Sequence, residues 1–146
     1  MLEAGAGDIL DAEVEALVNP VNTVGVMGRG LALAFKRAFP GNFRAYAKAC
    51  RRGELTLGRV LPFREKGRLV INFPTKRHWR EASTLADVEA GLVALVDCVR
   101  RERLESLAVP ALGCGLGGLA WPEVRALIEH AFAPLPEVRV VLFGPR

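Results

Sequence analysis

Residues 109 to 121 read Val-Pro-Ala-Leu-Gly-Cys-Gly-Leu-Gly-Gly-Leu-Ala-Trp, with four glycines among six consecutive residues, Gly113 to Gly118. An apolar, strand-like run precedes them and an amphipathic helical pattern follows, so the order strand, turn, helix is fixed at this point of the chain. Glycine accepts positive φ and allows close backbone approach, so the amides of such a turn can wrap a phosphate at the start of the next helix. The stretch reads as a diphosphate cradle. Gly113, Gly115 and Gly118 also satisfy the dinucleotide-binding G-x-G-x-x-G pattern. A Rossmann unit, however, places that turn after its first strand, with further βα units behind it. Here one helix and one strand follow, and the acidic residue at about the right distance, Glu137, precedes the last strand. A purely structural glycine turn is the other alternative.

The chain has 146 residues, 51% of them hydrophobic, which suits a single domain over residues 1–146 with a real core. No run reaches the roughly 18 to 20 apolar residues of a membrane span, and the acidic start Met1-Leu-Glu-Ala4 is unlike a secretion signal. A soluble, cytoplasmic protein without membrane contact is expected. The three cysteines, Cys50, Cys98 and Cys114, are widely spaced and form no C-x-x-C, so neither a disulfide framework nor a zinc site is indicated. Cys114 lies in the glycine turn, where it reads as a nucleophile or, with no histidine near it in sequence, as a small filler.

The net charge of +4 hides an asymmetry. Residues 29 to 80 hold fourteen Lys and Arg against Glu54 and Glu65, giving +12, while the rest sums to −8. Cations gathered in one third of a domain make a phosphate-attracting field, or simply a set of solvated helix positions.

Periodicity predicts the order of elements. Gly7 to Leu10 reads as the end of a first strand and Glu15 to Asn19 as a second, central one. A loop from Pro20 to Gly30 follows, then helices over Leu31 to Phe39 and Asn42 to Arg52, separated by Pro40 and ended by Gly53. Arg59 to Phe63 and Arg68 to Phe73 read as a hairpin about Lys66-Gly67. Thr84 and Asp87 form a capping box for a long helix with Leu85, Val88, Leu92, Leu95, Val96 and Val99 on one face. Strand Ser106 to Pro110, the glycine turn, a helix opened by Pro122 and a strand from Val138 to Phe143 complete the chain. Alternating strands and helices, with buried strands that lack polar alternation, imply an α/β fold: a three-layer α/β/α sandwich around a mixed, mostly parallel sheet. Ligands of such folds sit beyond the carboxyl ends of the strands. Three loops fall there, Pro20 to Gly30, Pro74 to Arg80 and Ala111 to Leu119.

Gly7-Asp-Ile-Leu10, then Ala16-Leu-Val-Asn-Pro-Val-Asn22 leading to Gly28-Arg-Gly30, then Val109 to Gly115 resemble in order and spacing the signature of macrodomains, which bind ADP-ribose. Asn22 to Gly30 and Asn72-Phe-Pro-Thr-Lys-Arg-His-Trp-Arg80 look most like the DarG antitoxin branch, related to terminal ADP-ribose protein glycohydrolase. The resemblance implies a macrodomain that removes ADP-ribose from thymine in single-stranded DNA, a DNA repair reaction opposing a DarT-like toxin partner. It also implies a longer protein of which this chain is the N-terminal domain, and the end at Arg146, directly after a strand, agrees. No metal and no organic cofactor are called for.

Carried over by motif, Asp8 would accept from the adenine amino group and the Ile9 amide would meet the ring; the alternative for Asp8 is a turn cap. Gly113, Cys114, Gly115, Leu116, Gly117 and Gly118 would hold the diphosphate. Gly25, Met27, Gly28 and Gly30 would line the distal ribose, with Asn22 bonded to that ribose or to the attached base; an Asx turn is its alternative. Met27 also reads as a loop residue without such a role. Lys76, after Thr75 in the Thr-Lys segment, matches a catalytic lysine of the related glycohydrolases. Its ammonium would protonate the departing base, or its free amine would attack the ring-opened sugar aldehyde. Arg77, His78, Trp79 and Arg80 would contact nucleic acid, the indole stacking on a base or packing against the sheet edge. The aspartate that protein-directed relatives carry in the glycine turn is missing, and neither glycine loop holds a carboxylate, which leaves a two-carboxylate glycosidase without its pair. The competing functions are an ADP-ribose-binding module without turnover, and a hydrolase of ADP-ribosylated protein or of O-acetyl-ADP-ribose.

Overall fold

The computed structural model describes residues 1–145. Six strands form one sheet: β1 (Leu2–Ala4), β2 (Ala16–Val21), β3 (Leu61–Glu65), β4 (Arg68–Pro74), β5 (Ser106–Pro110) and β6 (Arg139–Phe143), in the spatial order β1-β6-β5-β2-β4-β3. Every neighbouring pair is parallel except β3 with β4. That exception is the hairpin about Lys66-Gly67, where both residues have positive φ, 54° and 75°, the geometry that matches strand twist in a two-residue turn.

Side chains of β2 and β4 alternate between two apolar layers. Ala16, Val18, Leu69, Ile71 and Phe73 face α3 (Leu85–Arg101) and α4 (Trp121–Phe132), whereas Leu17 and Val70 face α1 (Gly30–Ala38) with its Phe35. Helix α2 (Pro40–Arg51) extends that second layer with Tyr46 and Ala49, packed on Val21, Met27 and Leu55. Each fully buried Leu, Ile or Phe contributes about 1.5–3 kcal/mol, which is why both faces of the central strands are mostly apolar, Asn19 and Asn72 being the buried polar exceptions. Gly91, in the middle of α3, is required by close packing: a Cβ there would lie 2.4 Å from the Phe73 ring. Thr84 caps α3, its hydroxyl oxygen accepting from the Asp87 amide at 3.1 Å, and Asp87 answers through Oδ2, which accepts from that hydroxyl at 2.9 Å.

One expected element differs. Gly7 to Leu10 is not the end of a strand; β1 is the earlier Leu2–Ala4, and Ile9–Asp11 is a single 3-10 turn with Asp8 as its N-cap. Gly7 has φ +77°, which takes the backbone out of the extended region. The partly buried Arg68 guanidinium then fixes this turn to β4, donating to the Leu10 carbonyl at 2.9 Å and to that of Ala12.

Because β2, β4, β5 and β6 run parallel, the loops after β2, β4 and β5 leave the sheet at the same end. Among the described residues no helix is long and apolar enough to cross a membrane.

Candidate functional site

The three loops are joined in series by hydrogen bonds. Thr23, in the loop after β2, donates from both its amide and its hydroxyl to the Arg77 carbonyl at 3.0 and 3.1 Å, and the Thr75 amide donates to the Val21 carbonyl at 2.9 Å. At the other end of the middle loop the Ser83 amide donates to the Gly117 carbonyl at 2.9 Å. Lys76 therefore sits on a segment stretched between the two glycine loops. Its ammonium donates to the Trp79 carbonyl at 2.9 Å, and the side chain is partly exposed.

The loop after β2 is organised from within. Asn22 is 7% exposed; its Oδ1 accepts from the amides of Val24 at 3.1 Å and Val26 at 3.4 Å, and its Nδ2 donates to the Val26 carbonyl at 2.8 Å. This is an Asx turn, and it leaves Asn22 one amide hydrogen for a ligand. Tyr46 supports it from α2, its hydroxyl lying 2.7 Å from Asn22 Oδ1 and 2.8 Å from the Asn22 carbonyl. Burial pushes the Tyr46 phenol far above its ordinary value near 10, with the Cys50 thiol adding to the shift, so it stays a neutral donor. Gly25 is partly exposed, and Gly28 and Gly30 are exposed on the loop's outer side, while the Met27 side chain is buried beneath it.

The glycine turn after β5 holds a 3-10 turn at Gly115–Gly117 ended by Gly118 in the left-handed region, φ 82°. The first amides of such a turn, those of Gly115 and Leu116, find no acceptor inside it and remain for a ligand. Cys114 is partly buried, which raises its thiol, and its Sγ lies 3.8 Å from the Leu112 carbonyl; a protonated filler fits this environment better than a nucleophile.

Asp8 lies on the loop after β1, exposed, with Oδ1 accepting from the Leu10 amide at 2.9 Å; the adjacent Ile9 side chain is buried. The geometry of a turn cap is thus met, with a second carboxylate oxygen beside it. Of the expected nucleic-acid contacts, Arg77 pairs with Glu81 at 3.4 Å, and Arg80 is exposed. The Trp79 ring, 46% exposed, stacks on His78 with centroids 3.8 Å apart.

Exposed apolar side chains mark the same end of the molecule. Among the described residues, six large hydrophobics are exposed, and four of them, Val24, Val26, Trp79 and Leu116, lie on these three loops. Scattered apolar residues need no explanation, but four gathered on one group of loops suit a surface that meets a ligand. A depression of about 290 Å³ at the opposite end of the sheet is lined by Arg100, Arg103, Glu105 and Glu137, whose charges balance, and it gathers no such group.

Two features have no counterpart in the sequence reading. Asn19, Asn42 and Asn72 are fully buried and joined: Asn72 Oδ1 accepts from Asn19 Nδ2 at 3.2 Å and Asn42 Nδ2 at 3.1 Å, while Asn72 Nδ2 donates to Asn42 Oδ1 at 2.8 Å and to the Leu61 carbonyl at 3.0 Å. The signal was an asparagine inside each of two apolar strand runs. The second is Ser83, buried, with an Oγ that has no protein partner and lies 2.6 Å from where a Cβ on Gly117 would be. Gly117 is a glycine because Ser83 occupies the space.

Comparison with known proteins follows this geometry. A family model described as Macro domain matches residues 18–128. The chain is 49% identical to a DNA ADP-ribosyl glycohydrolase of Mycobacterium tuberculosis over 99% of its own length and 42% of that protein. It is 36% identical to a DNA ADP-ribosyl transferase-DNA ADP-ribosyl glycohydrolase fusion protein of Thermosipho africanus, over 95% of this chain and 40% of that one. Among solved structures, the macrodomain of Mycobacterium tuberculosis DarG superposes with a TM-score of 0.97 at 49% identity, covering 100% of this chain and 99% of that one. Thermosipho africanus DarTG in complex with ADP-ribose gives 0.92 at 36% identity, covering 99% of this chain and 41% of the other. The chain thus spans well under half the length of these two curated relatives.

Proposed function

The chain belongs to the Macro domain family, and from that premise we propose that it is a DNA ADP-ribosyl glycohydrolase, acting in the cytoplasm as the antitoxin to a DarT-like toxin. Its substrate in this reading is ADP-ribose joined to thymine in single-stranded DNA, and the chain is the N-terminal macrodomain of a longer protein. Identity of about one half to a relative of that name, over essentially the whole domain, supports the activity. The fusion of transferase and glycohydrolase in the Thermosipho relative supports the toxin partner.

Each recognition step has a group of suitable chemistry. The Asp8 carboxylate accepts from the adenine amine, and the Ile9 amide meets the ring edge. The turn from Gly113 to Gly118 holds the diphosphate with backbone N–H groups, and Gly25, Gly28 and Gly30 let the distal ribose approach the backbone of the loop that Asn22 and Tyr46 hold. Lys76 works at the anomeric carbon. Water adds there, the carbon–nitrogen bond to the base breaks, and the base nitrogen takes a proton, so free ADP-ribose and unmodified thymine result. In this reading Arg77, His78, Trp79 and Arg80, which follow Lys76 in the chain, meet the DNA, the indole stacking on a base.

The observation that carries this reading is the position of Lys76 on a segment tied at Thr23 to one glycine loop and at Ser83 to the other. Its test is Lys76→Ala assayed on an oligonucleotide with one ADP-ribosylated thymine, products resolved by mass. We expect ADP-ribose release to fall by at least about a hundredfold, the lower end for loss of acid–base help, with ADP-ribose affinity kept. Undiminished release removes Lys76 from the chemistry. Wild-type chain that binds ADP-ribose but never releases it from DNA is a binding module.

A further inference from the structure

In the DNA reading the three loops take the ADP-ribosyl group, while the substrate is a polymer whose backbone must lie somewhere on the surface. Residues 29 to 53 hold seven cations and no Asp or Glu. Within them, α2 exposes Arg44, Lys48 and Arg51, four and three positions apart and so on one face. None of the three is in an ion pair among the described residues. The two acids nearest in sequence are engaged elsewhere: Glu65 accepts from the Gly41 and Asn42 amides at the far start of α2, and Glu54 lies 4.0 Å from Arg52. The neighbouring helix α1 adds only Lys36 and Arg37, both exposed. The other helices differ. α3 mixes Asp87, Glu89 and Asp97 with its arginines, and α4 pairs Arg125 with Glu129 at 2.9 Å, as a solvated surface usually does.

The stripe also has the right place. The loop after β2 rests on the last turns of α2: Ala47 and Cys50 are the nearest neighbours of Gly25, and Tyr46 bonds to Asn22. Lys48 and Arg51 therefore flank the site loop, and Arg44 lies roughly 10 Å further along the helix. Arg29, exposed at the start of α1, continues the positive field at the loop's other end.

We propose that Arg44, Lys48 and Arg51 form a binding site for the phosphate backbone of single-stranded DNA, the strand that flanks the modified base running from the three loops along α2. The proposal rests on the DNA reading of the substrate. The track reads charge and spacing, not sequence, because guanidinium and ammonium groups meet phosphates alike whatever base they bear.

The test is fluorescence anisotropy with an unmodified single-stranded oligonucleotide of about 15 nucleotides, long enough to cover one ~4–16-nucleotide site, titrated at several salt concentrations. The variant is Arg44→Glu/Lys48→Glu/Arg51→Glu, and the control reverses two cations of the other face, Arg100→Glu/Arg125→Glu. Three phosphate contacts predict a salt slope shallower by about 2 in the triple variant, with at least tenfold weaker binding at low salt. The control binds as the wild type does. ADP-ribose affinity by calorimetry stays unchanged in both, which certifies the fold; if the triple Glu variant loses it, Arg44→Gln/Lys48→Gln/Arg51→Gln is judged by the same slope. Unchanged oligonucleotide binding in the triple variant overturns the proposal, as does equal loss in the control or equal affinity of the wild type for polyglutamate. ADP-ribosylated thymidine without a backbone separates the two readings: its cleavage is expected to be the same in wild type and variant. If the wild type cleaves neither substrate, the glycohydrolase reading fails, and the anisotropy result still decides the track.

Discussion

Gly117 and Ser83 show how one side chain dictates another across a distance of 34 positions. A methyl group on Gly117 would lie 2.6 Å from the Ser83 Oγ and 3.1 Å from its Cβ, so the Ser83 side chain or the turn must shift to admit it. Gly117→Ala is expected to weaken ADP-ribose binding about tenfold, and Ser83→Gly in the same chain to restore most of it, measured by calorimetry; a turn that tolerates the methyl would show neither effect. Tyr46 gives a pH dependence of definite sign. Its folded-state pKa is raised by burial, so above about pH 10 the unfolded chain sheds a proton that the folded chain keeps. Stability is full below that pH and falls as the pH climbs toward the folded value. Tyr46→Phe removes this component and also the one hydroxyl hydrogen that the two oxygens of Asn22 share, so denaturant unfolding from pH 8 to 11 should show a lower starting stability, by about 1–2 kcal/mol, and a flatter decline.

The elements that were readable beforehand are those whose signal is local. α3, with its cap and an apolar face of seven buried residues, and the Lys66-Gly67 hairpin follow from spacing and turn chemistry within a few residues. β1 was not readable: three residues, Leu2–Ala4, hold too little pattern, and they become a strand only because β6, far along the chain, lies alongside. The site divides in the same way. Glycine loops and the Thr75-Lys76 segment stand out in the sequence, whereas Ser83, Tyr46 and the three buried asparagines act through partners 24 to 53 positions away. Asn72 is the clearest of them, since its side chain joins β4 to β2, to the β3 carbonyl of Leu61 and to α2. Asn72→Ala leaves the Asn42 and Asn19 amides buried without their partner, at about 1–3 kcal/mol for each orphaned group. We expect at least about 2 kcal/mol lost by urea unfolding; an unchanged midpoint would mean that the amides find other partners or water.

Taken entire, the molecule is a sheet clamped between two helical layers with three connected loops at one end. Since the loops after β2, β4 and β5 are bonded in series, a ligand that orders one orders its neighbours. Hydrogen exchange should find Leu17, Val18, Val70, Ile71 and Ala108, inside the central strands, among the slowest amides. Saturating ADP-ribose should then slow exchange in all three loops together, the middle one included; protection limited to the glycine turn would argue that the loops act separately. The parallel strand order has one more result, at the far end of the sheet. The tight bend at Lys66-Gly67 opens away from the three loops, on exposed residues between two strands. An insertion there, whether a fluorophore, a surface anchor or a second folded unit, extends the protein from behind and leaves the three loops unobstructed.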